Sequence, residues 1–507
     1  MPPLPSAPDR PVPRRPDRWR ALAVPLVPAV FLLVLGLWGL SRGHSVWRDE
    51  AATWQTALRT VPQIWHMLGQ VDAVHGLYYL IMHGLFEVFG DSTTTLRLPS
   101  VLAASAAAGL VAVTTARLAG RWAGLAAGLT LALLPAVQFY AQEGRPYALV
   151  LAGAAVASWL LVRILGEAAG SGTGGPAPGR AVTWAAYGAA LLCCALLNWF
   201  SLLVPVAHAV TLAWVRPGRA VVRRWAVAAG AAVVGALPLV LFSRGQSGQV
   251  SWIAPTTWHT LIAPVVLLAA GGACALVRPA RPGRLTPVSV GLPLLAVPQL
   301  GLLAASLVKP LYLDRYVLFS LLGLAVLVGG ALGAAVRGTR RRGPRGTAVL
   351  VVPVLAGAAL LGTLPLERAK REPGSRVDDV VAAASLVGQL KAPGDAVLFL
   401  PAARRDTALV CPEEFTGVAD IALERSPVVS GTLKGVETDG GPLRARMLAR
   451  QRILLVTDVS DGVRRSPNAR DRVKLRVLAE HFRMLSQEDS RGRRVALYEQ
   501  VAERSGR

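Results

Sequence analysis

Long apolar runs that alternate with short arginine-rich segments are the feature that most restricts how this chain can fold. Of its 507 residues, 53% are hydrophobic, and the mean hydropathy is +0.45. A helix of about 20 apolar residues crosses the hydrocarbon core of a bilayer, and within lipid the backbone must satisfy its own polar groups. The sequence therefore predicts a polytopic α-helical membrane protein rather than one soluble domain.

Eleven runs are long enough to be predicted as membrane spans. They lie near residues 21–41, 95–116, 122–140, 146–165, 181–197, 200–215, 225–242, 260–277, 287–308, 313–336 and 347–365. Most of these runs approach the roughly 20 residues that cross the hydrocarbon core, so about 11 transmembrane helices are expected.

A further apolar run, 76–90, is too short to belong to this set. As a helix it would be roughly 22 Å long, whereas the hydrocarbon core is about 30 Å thick. Its polar side chains His75, Tyr79, His83 and Glu87 recur at helical spacing opposite apolar ones. That pattern predicts a helix that lies in the membrane interface instead of crossing it.

The distribution of arginine predicts the orientation of the chain. If 76–90 does not cross, one side of the membrane receives nearly all arginine clusters, among them Arg10 to Arg20, Arg216 to Arg224 and Arg337 to Arg345. By the positive-inside rule this side is the cytoplasm, and the N-terminus lies there. The rule also accounts for the net charge of +24 without nucleic acid as a partner. Abundant Arg, Ala and Gly with little Lys indicate a bacterial protein, so the bacterial plasma membrane is the expected location.

Composition divides the chain into three regions. Residues 1–20 are rich in Pro and Arg and are predicted to form a disordered cytoplasmic tail. Residues 21–365 form the membrane domain, with a first outer loop over 42–94. Residues 366–507 are more polar and follow the last span, so they are predicted to form an extracytoplasmic domain. A stretch rich in Gly, Gly166–Arg180, is expected to be a flexible cytoplasmic linker.

The C-terminal region is predicted to be α/β. Ala396–Leu400 and Arg452–Thr457 are short apolar runs typical of buried strands. They alternate with helical patterns at Val377–Leu390 and Arg470–Met484. Because no phosphate loop or dinucleotide fingerprint occurs in this region, we do not expect it to bind a nucleotide.

Acids, cations and aromatic residues recur at the outward ends of the apolar runs. They are Asp49, Glu50, Glu143 and Asp314; Arg97, Arg145, Lys309 and Arg315; and Trp47, Trp54, Tyr140, Tyr147, Tyr312 and Tyr316. Each pair alone is equally typical of a structural ion pair or an interfacial aromatic belt. As a group they supply what glycosyl transfer from a lipid phosphate needs. A carboxylate takes the proton of an acceptor hydroxyl, and cations stabilise the departing phosphate.

The order of these residues resembles a known family. The segments are Trp47-Arg-Asp-Glu-Ala51, His75-Gly-Leu-Tyr-Tyr79, Leu96-Arg-Leu-Pro-Ser100, Glu143-Gly-Arg-Pro-Tyr-Ala148 and Pro310-Leu-Tyr-Leu-Asp-Arg-Tyr316. In this order they resemble the protein O-mannosyltransferase-like glycosyltransferases of the GT-C superfamily. The likeness is densest over residues 20–165. Many relatives read His-Pro-Pro-Leu-Tyr where this chain has His75-Gly-Leu-Tyr, and the missing prolines leave the start of that helix less constrained.

The resemblance implies an enzyme that transfers a sugar, mannose or another hexose or pentose, with inversion from a polyprenyl phosphate to an outer-face acceptor. Asp49 would be the general base, and Glu50 would position it or the acceptor. The residues implied to contact the donor or its phosphate are Arg97, Glu143, Arg145, Tyr147, Lys309, Arg315 and Tyr316. Those implied to contact the sugar or acceptor are Trp47, His75 and Tyr79. No cofactor is expected, and a divalent metal is not favoured.

Two other interpretations remain open from the sequence. A lipid or solute transporter or flippase would fit the many spans, although such proteins tend to carry ionisable residues at mid-span in repeated halves. A non-catalytic binding protein of an envelope assembly would also fit. In an enzyme, the outer domain is a candidate for selecting the acceptor, which is a glycan, a lipid or a protein.

The cysteines and most histidines are not expected to form sites. Cys193, Cys194, Cys274 and Cys411 lack the spacing of a metal site. Packing or interfacial roles are expected for the isolated histidines, which are His66, His83, His208 and His259.

Overall fold

The computed structural model describes residues 18–170, 181–246, 253–277, 283–342, 347–460 and 467–501. Most of the predicted N-terminal tail, residues 1–17, lies outside the described residues. So does the part of the predicted linker from 171 to 180.

Fifteen helices make up the described part of the chain before residue 370. They are α1 Arg18–Leu37, α2 Arg48–Ala57, α3 Val61–Leu68, α4 Gly76–Phe89, α5 Thr93–Ala119, α6 Arg121–Leu133, α7 Pro135–Ala141, α8 Tyr147–Gly170, α9 Ala181–Leu197, α10 Leu203–Val215, α11 Arg219–Gly245, α12 Trp258–Ala275, α13 Pro287–Ser306, α14 Leu321–Arg342 and α15 Thr347–Ala369. Each of the eleven predicted spans coincides with one or two of these helices, so the prediction of a polytopic helical membrane protein is confirmed.

The number of full-length spans is smaller than the number of apolar runs. Seven helices among the described residues are long and apolar enough to cross a membrane, or eight if α6 and α7 are counted as one bent span. These two helices meet at 63°. Leu134, just before Pro135, is extended because a residue that precedes proline is forced out of the helical region. Shorter apolar helices occupy Leu22–Leu37, Ala181–Leu197 and Trp199–Val215.

Helix α4 covers the short apolar run and packs on the other helices of the first loop. Its Phe86 ring meets Trp54 of α2 edge-on, with centroids 5.3 Å apart. The polar stripe of α4 faces the loop at Tyr79 and His83, whereas Glu87 is exposed. Tyr79 is fully buried and donates to Asp72, and His83 Nδ1 lies 3.0 Å from the carbonyl oxygen of Ala57. The stripe therefore holds the first loop together.

The C-terminal region is an α/β domain, as predicted. Its remaining elements are helices α16 Val380–Leu390, α17 Asp406–Val410, α18 Gly440–Leu448 and α19 Ala469–His481, with strands β1 Ala396–Leu400, β2 Ala419–Asp420, β3 Leu423–Arg425, β4 Val436–Glu437, β5 Arg452–Asp458, β6 Phe482–Ser490 and β7 Arg493–Gln500. The main sheet has the order β2-β1-β5-β7-β6, in which β1 is parallel to β2 and β5 while β7 is antiparallel to β5 and β6.

Alternation along the strands builds a layer of helices on each face of this sheet. Val397 and Phe399 point toward α16, whereas Leu398 and Leu400 belong to the core with α18 and α19. One boundary differs from the sequence prediction. The helix expected to reach Met484 ends at His481, because the chain continues as β6 and pairs along its length with β7.

The first outer loop and the C-terminal domain share one hydrophobic core. Val46 and Ala51, beside and within α2, are buried together with Val380, Ala384 and Phe399. The backbone N–H of Val380 donates to the carbonyl oxygen of Val46 at 2.7 Å. The predicted division of the chain near residue 366 remains a prediction, but the two regions meet through packed side chains.

Candidate active site

The two adjacent acids of the first loop lie in the first turn of α2 and point in different directions. Successive residues of a helix are about 100° apart around its axis, so Asp49 and Glu50 cannot share a face. The Glu50 side chain is fully buried, whereas 23% of the Asp49 side chain is exposed. Carboxylates are favourable at a helix N-terminus because the first backbone N–H groups leave partial positive charge there.

Glu50 is the centre of a buried ion network. Arg42 donates to both of its oxygens at 3.0 Å, and Arg97 donates to them at 2.8 and 2.7 Å. The backbone N–H of Gly144 adds a further hydrogen bond at 3.0 Å. Burial alone would raise the pKa of Glu50, but Arg97 and Arg42 lower it to about 2. Glu50 is therefore ionised and joins α2 to α5 and to the loop before α8.

The environment of Arg97 does not match its predicted role, which is contact with the carrier phosphate. The residue is fully buried, and all the donor nitrogens of its guanidinium have partners within the protein. Besides Glu50 these are three backbone carbonyl groups, those of Leu40, Ser41 and Ser45. Because no donor is left for a ligand, Arg97 is a structural residue in this conformation.

Glu143 is also buried, and its partner comes from the far end of the chain. The nearest cation is Arg376, which follows α15, with Nε 3.1 Å from Oε1 of Glu143. Neither oxygen of the carboxylate accepts a hydrogen bond from the described residues. Burial raises the pKa of Glu143 to about 7, against the opposing effect of Arg376. Glu143 thus lies in a buried ion pair, and its contact with the donor stays a prediction; the sequence analysis did not single out Arg376.

Asp49 lies beside two of the predicted cations. Its Oδ2 is 3.2 Å from Nη1 of Arg315, and its backbone carbonyl accepts from Arg145 at 3.3 Å. Arg145 also lies 2.8 Å from Nε2 of His75. Burial, helped by Arg145, lowers the pKa of His75 to about 4. His75 is therefore neutral near pH 7, and its Nε2 accepts from Arg145 because a guanidinium can only donate.

A cavity of about 640 Å³ opens next to this group. Four of the predicted site residues line it: His75, Tyr147, Lys309 and Tyr316. The lining residues that the sequence analysis did not propose as site residues are Asn198, Trp199, Phe200, Arg244 and Gln246, together with apolar side chains of α9 and α11. The sequence did contain an indication of these residues, since they too lie near the ends of apolar runs that were predicted to face outward.

Aromatic rings form a continuous wall on one side of the cavity. Trp199 stacks on Phe200 with centroids 4.0 Å apart, and Phe200 stacks on Tyr316 at 4.9 Å. The guanidinium of Arg315 lies 5.9 Å from the ring centre of Tyr147 and 5.8 Å from that of Tyr316. This cation–π contact holds Arg315 between the wall and Asp49.

Gln246 closes the cavity where α11 ends. Its side-chain oxygen accepts from the backbone N–H of Ala73, and its amide donates to the carbonyl of Leu68, both at 2.9 Å. The pair of hydrogen bonds attaches α11 to the segment that precedes α4. His75, two residues after Ala73, is thereby held at the rim.

Two of the three residues predicted to contact the sugar or acceptor do not line this cavity. Trp47 precedes α2 and is 8% exposed, and Tyr79 is fully buried against Asp72. Both support the loop that carries Asp49. Among the described residues no three His, Cys, Asp or Glu side chains are grouped as they would be around a metal ion, and the expectation of a metal-independent site stays a prediction.

Comparison with known sequences gives no match, whereas comparison with solved structures finds several with a similar fold. No protein-family model matches the chain, and no curated protein matches it significantly. The structure of ArnT from Cupriavidus metallidurans in the apo state superposes with a TM-score of 0.60 at 15% identity, covering 94% of this chain and 98% of that chain. ArnT from the same organism bound to undecaprenyl phosphate gives a TM-score of 0.59 at 15% identity, covering 97% and 100%.

A third similar structure is the apo form of the Archaeoglobus fulgidus oligosaccharyltransferase. Its TM-score is 0.52 at 10% identity, with 88% of this chain and 70% of that chain covered. These proteins are GT-C glycosyltransferases, so the chain has the GT-C fold. It is a multi-pass membrane protein in which the acid–arginine cluster lies beside one aromatic-walled cavity.

Proposed function

We propose that this GT-C chain is a membrane glycosyltransferase that moves a sugar from a polyprenyl-phosphate donor to an acceptor hydroxyl. The observation that carries the proposal is the contact between Asp49 and Arg315 beside the 640 Å³ cavity. It brings together a partly exposed carboxylate, which is needed to take a proton, and cations, which are needed to stabilise a leaving phosphate.

The cavity suits a phosphate attached to a long apolar chain. Lys309 and Arg244 line it, and Arg145 and Arg315 lie beside it. A phosphate in the cavity would therefore be close to several cationic hydrogen-bond donors. The side chains of Leu237, Val240 and Leu241 on α11 provide an apolar path from these cations into the membrane. A polyprenyl phosphate has this combination of charge and chain.

Asp49 is the general base in this proposal. The acceptor hydroxyl attacks the anomeric carbon and gives its proton to the carboxylate of Asp49. The bond between the anomeric carbon and the phosphate oxygen breaks, and polyprenyl phosphate leaves with the electron pair. Attack on the face opposite the leaving phosphate gives inversion at the anomeric carbon.

Donor binding and activation of the base are linked through Arg315. Its guanidinium is 3.2 Å from the carboxylate of Asp49 and forms an ion pair with it. A donor phosphate competes for the same guanidinium, because a phosphate carries more charge than a carboxylate. When Arg315 turns to the phosphate, the carboxylate of Asp49 becomes free to accept the proton of the acceptor.

The remaining details of the proposal follow the family resemblance and the charge pattern. The sugar is mannose or another hexose or pentose, and the acceptor is a glycan, a lipid or a protein. The arginine-rich side of the chain faces the cytoplasm of a bacterial cell, so the 640 Å³ cavity and the C-terminal domain face outward. The carrier lipid then presents its sugar on the outer surface of the plasma membrane.

The test measures release of radiolabelled sugar from a panel of polyprenyl-phosphate sugars by the purified protein, with membranes supplied as the source of acceptor. We expect the wild-type protein to use at least one donor and Asp49→Asn to lose this turnover by at least a hundredfold, the usual contribution of a general base. Asp91→Asn is the matched control, because it removes an exposed acid of the same outer loop and should leave turnover unchanged. Equal turnover by wild type and Asp49→Asn would exclude Asp49 as the base. If the wild type released sugar from none of the donors, the proposal that the protein is a transferase would be contradicted.

A further inference from the structure

A second cavity, here called the α9/α11 groove, lies far from the candidate active site. It has a volume of about 600 Å³ and is lined by residues of α9 and of the first half of α11. Small side chains, among them Ala185, Gly188 and Ala231, form its floor. The groove is apolar along most of its length and is bordered at one end by Arg223 and Arg224.

The polar groups of the groove are all hydrogen-bond donors. Arg223 and Arg224 contribute guanidinium groups, which bind phosphate through paired N–H groups. Trp184 also lines the groove and is 5% exposed. The charge of the two guanidinium groups therefore complements an anionic head group.

The groove lies at the opposite membrane surface from the candidate active site. Both cavities are lined by α11, but the active-site cavity uses Leu237 to Gln246, near the end of that helix. Twenty residues separate Arg224 from Arg244, which is about 30 Å along a helix and equals the thickness of a hydrocarbon core. A donor lipid whose phosphate lies in the active-site cavity therefore cannot place that phosphate at Arg224.

We propose that the α9/α11 groove binds an anionic glycerophospholipid from the leaflet opposite the active site. Its phosphate lies at Arg223 and Arg224, and an acyl chain follows the small residues of the groove. Basic pockets between membrane helices on the arginine-rich side bind acidic lipid head groups in this manner. The inference does not depend on the proposed transfer reaction.

The experiment compares lipids retained by the purified full-length protein, detected by native mass spectrometry after exchange into phosphatidylglycerol or phosphatidylcholine. We expect one phosphatidylglycerol to remain bound to the wild type and phosphatidylcholine to be lost. The double variant Arg223→Gln/Arg224→Gln should retain at least tenfold less phosphatidylglycerol. Ala231→Leu, which fills the groove without changing charge, should have the same effect.

The control is Arg117→Gln/Arg121→Gln, a pair of exposed arginines of the same arginine-rich side that do not line the groove. It removes the same charge and should retain the lipid. Equal retention of the two lipids by the wild type, or equal loss in the control and the groove variants, would overturn the proposal. Retention of added polyprenyl phosphate in place of phosphatidylglycerol, abolished by Ala231→Leu, would show that the groove holds a carrier lipid instead.

Discussion

Arg48 gives both its backbone N–H and its Nε–H to the carboxylate of Asp378, at 3.0 and 3.1 Å. Arg48 is the first residue of α2 and directly precedes Asp49, whereas Asp378 belongs to the C-terminal region. The other side of Asp378 is held by Arg493 of β7, at 3.2 and 3.0 Å, and Arg493 in turn binds Asp406. The position of the proposed base is thus set by the C-terminal domain.

A first prediction tests this positioning role. Asp378→Asn should lower kcat by about tenfold, equivalent to about 1.4 kcal/mol, with little change in the KM for the donor, because the start of α2 loses its anchor. Asp406→Asn is the matched control, since Asp406 binds Arg493 but not Arg48. Both variants should lower the melting temperature, and only Asp378→Asn should lower kcat. Equal losses of kcat in the two variants would mean that Asp378 contributes to stability but does not position Asp49.

A second prediction separates the two arginines assigned to the donor by the family resemblance. Arg97→Gln should lower the free energy of unfolding by about 3–5 kcal/mol, because it leaves the buried Glu50 without its main partner. The KM for the donor should not change in the fraction that folds. Arg97→Lys, which keeps the charge but not the paired geometry, should be intermediate in stability. A normally stable Arg97→Gln protein with a raised KM would contradict this assignment.

Arg315→Gln should show the opposite behaviour. It removes a cation beside the cavity and the partner of Asp49, so the KM for the donor should rise by at least tenfold while the melting temperature changes little. Steady-state kinetics over a range of donor concentrations measure this effect. Arg483→Gln, on the surface of the C-terminal domain with a 72% exposed side chain, is the control and should have an unchanged KM.

The raised pKa of Glu143 predicts a pH dependence of stability. Its pKa is about 7 in the folded chain and 4.5 in the unfolded chain, so the folded state binds more protons between these values. The contribution of Glu143 to stability is complete below pH 4.5 and is lost as the pH rises through 7, a change of about 3 kcal/mol. Glu143→Gln should lack this loss. From pH 4.5 to 8 the melting temperature of the wild type should therefore fall relative to that of Glu143→Gln; a difference between the two proteins that does not change with pH would contradict the prediction.

A further prediction concerns His208, which the sequence analysis regarded as isolated. In the structure Trp225 donates to the hydroxyl of Tyr187, and that hydroxyl lies 2.9 Å from Nδ1 of His208. On the other side of the ring, Nε2 lies 3.1 Å from the hydroxyl of Ser158. The chain of hydrogen bonds joins α8, α9, α10 and α11 inside the membrane domain.

Tyr187→Phe should therefore lower the free energy of unfolding by about 1–3 kcal/mol without changing turnover, because it leaves the Trp225 and His208 nitrogens unpaired. A double-mutant cycle with His208→Leu should give a coupling energy above about 0.5 kcal/mol. Additive effects in thermal unfolding would mean that the two side chains act separately.

The sequence was sufficient for the features that depend on local patterns. Apolar runs located the helices of the membrane region, and the β-branched run Arg452–Thr457 located β5, because period and length are properties of a few adjacent residues. The adjacent acids Asp49 and Glu50 show the limit of such patterns. Which of the two is buried depends on Arg42 and Arg97, and no local pattern carries that information.

The ion pairs that complete the candidate site could not be predicted from sequence patterns. Arg376 lies more than 200 residues after Glu143, and Asp378 lies 330 residues after Arg48. Many acids and cations compete at the outer surface, and only the folded backbone decides which of them meet. For the same reason the sequence grouped Arg97 and Glu143 with the donor-binding residues, although each is occupied by a partner inside the protein.

The core shared by α2 and the C-terminal domain has a consequence for how the protein is made. Val46 and Ala51 leave the ribosome more than 300 residues before Val380 and Phe399, the side chains that cover them. Domains form in order from the N-terminus during synthesis, so the membrane helices assemble while this face of α2 is still bare. The face of α2 that contacts Val380 and Phe399 is therefore covered only after these residues of the C-terminal domain have been synthesised. We therefore expect a chain terminated before Val380 to lack the packing that positions Asp49, even where its membrane helices have assembled.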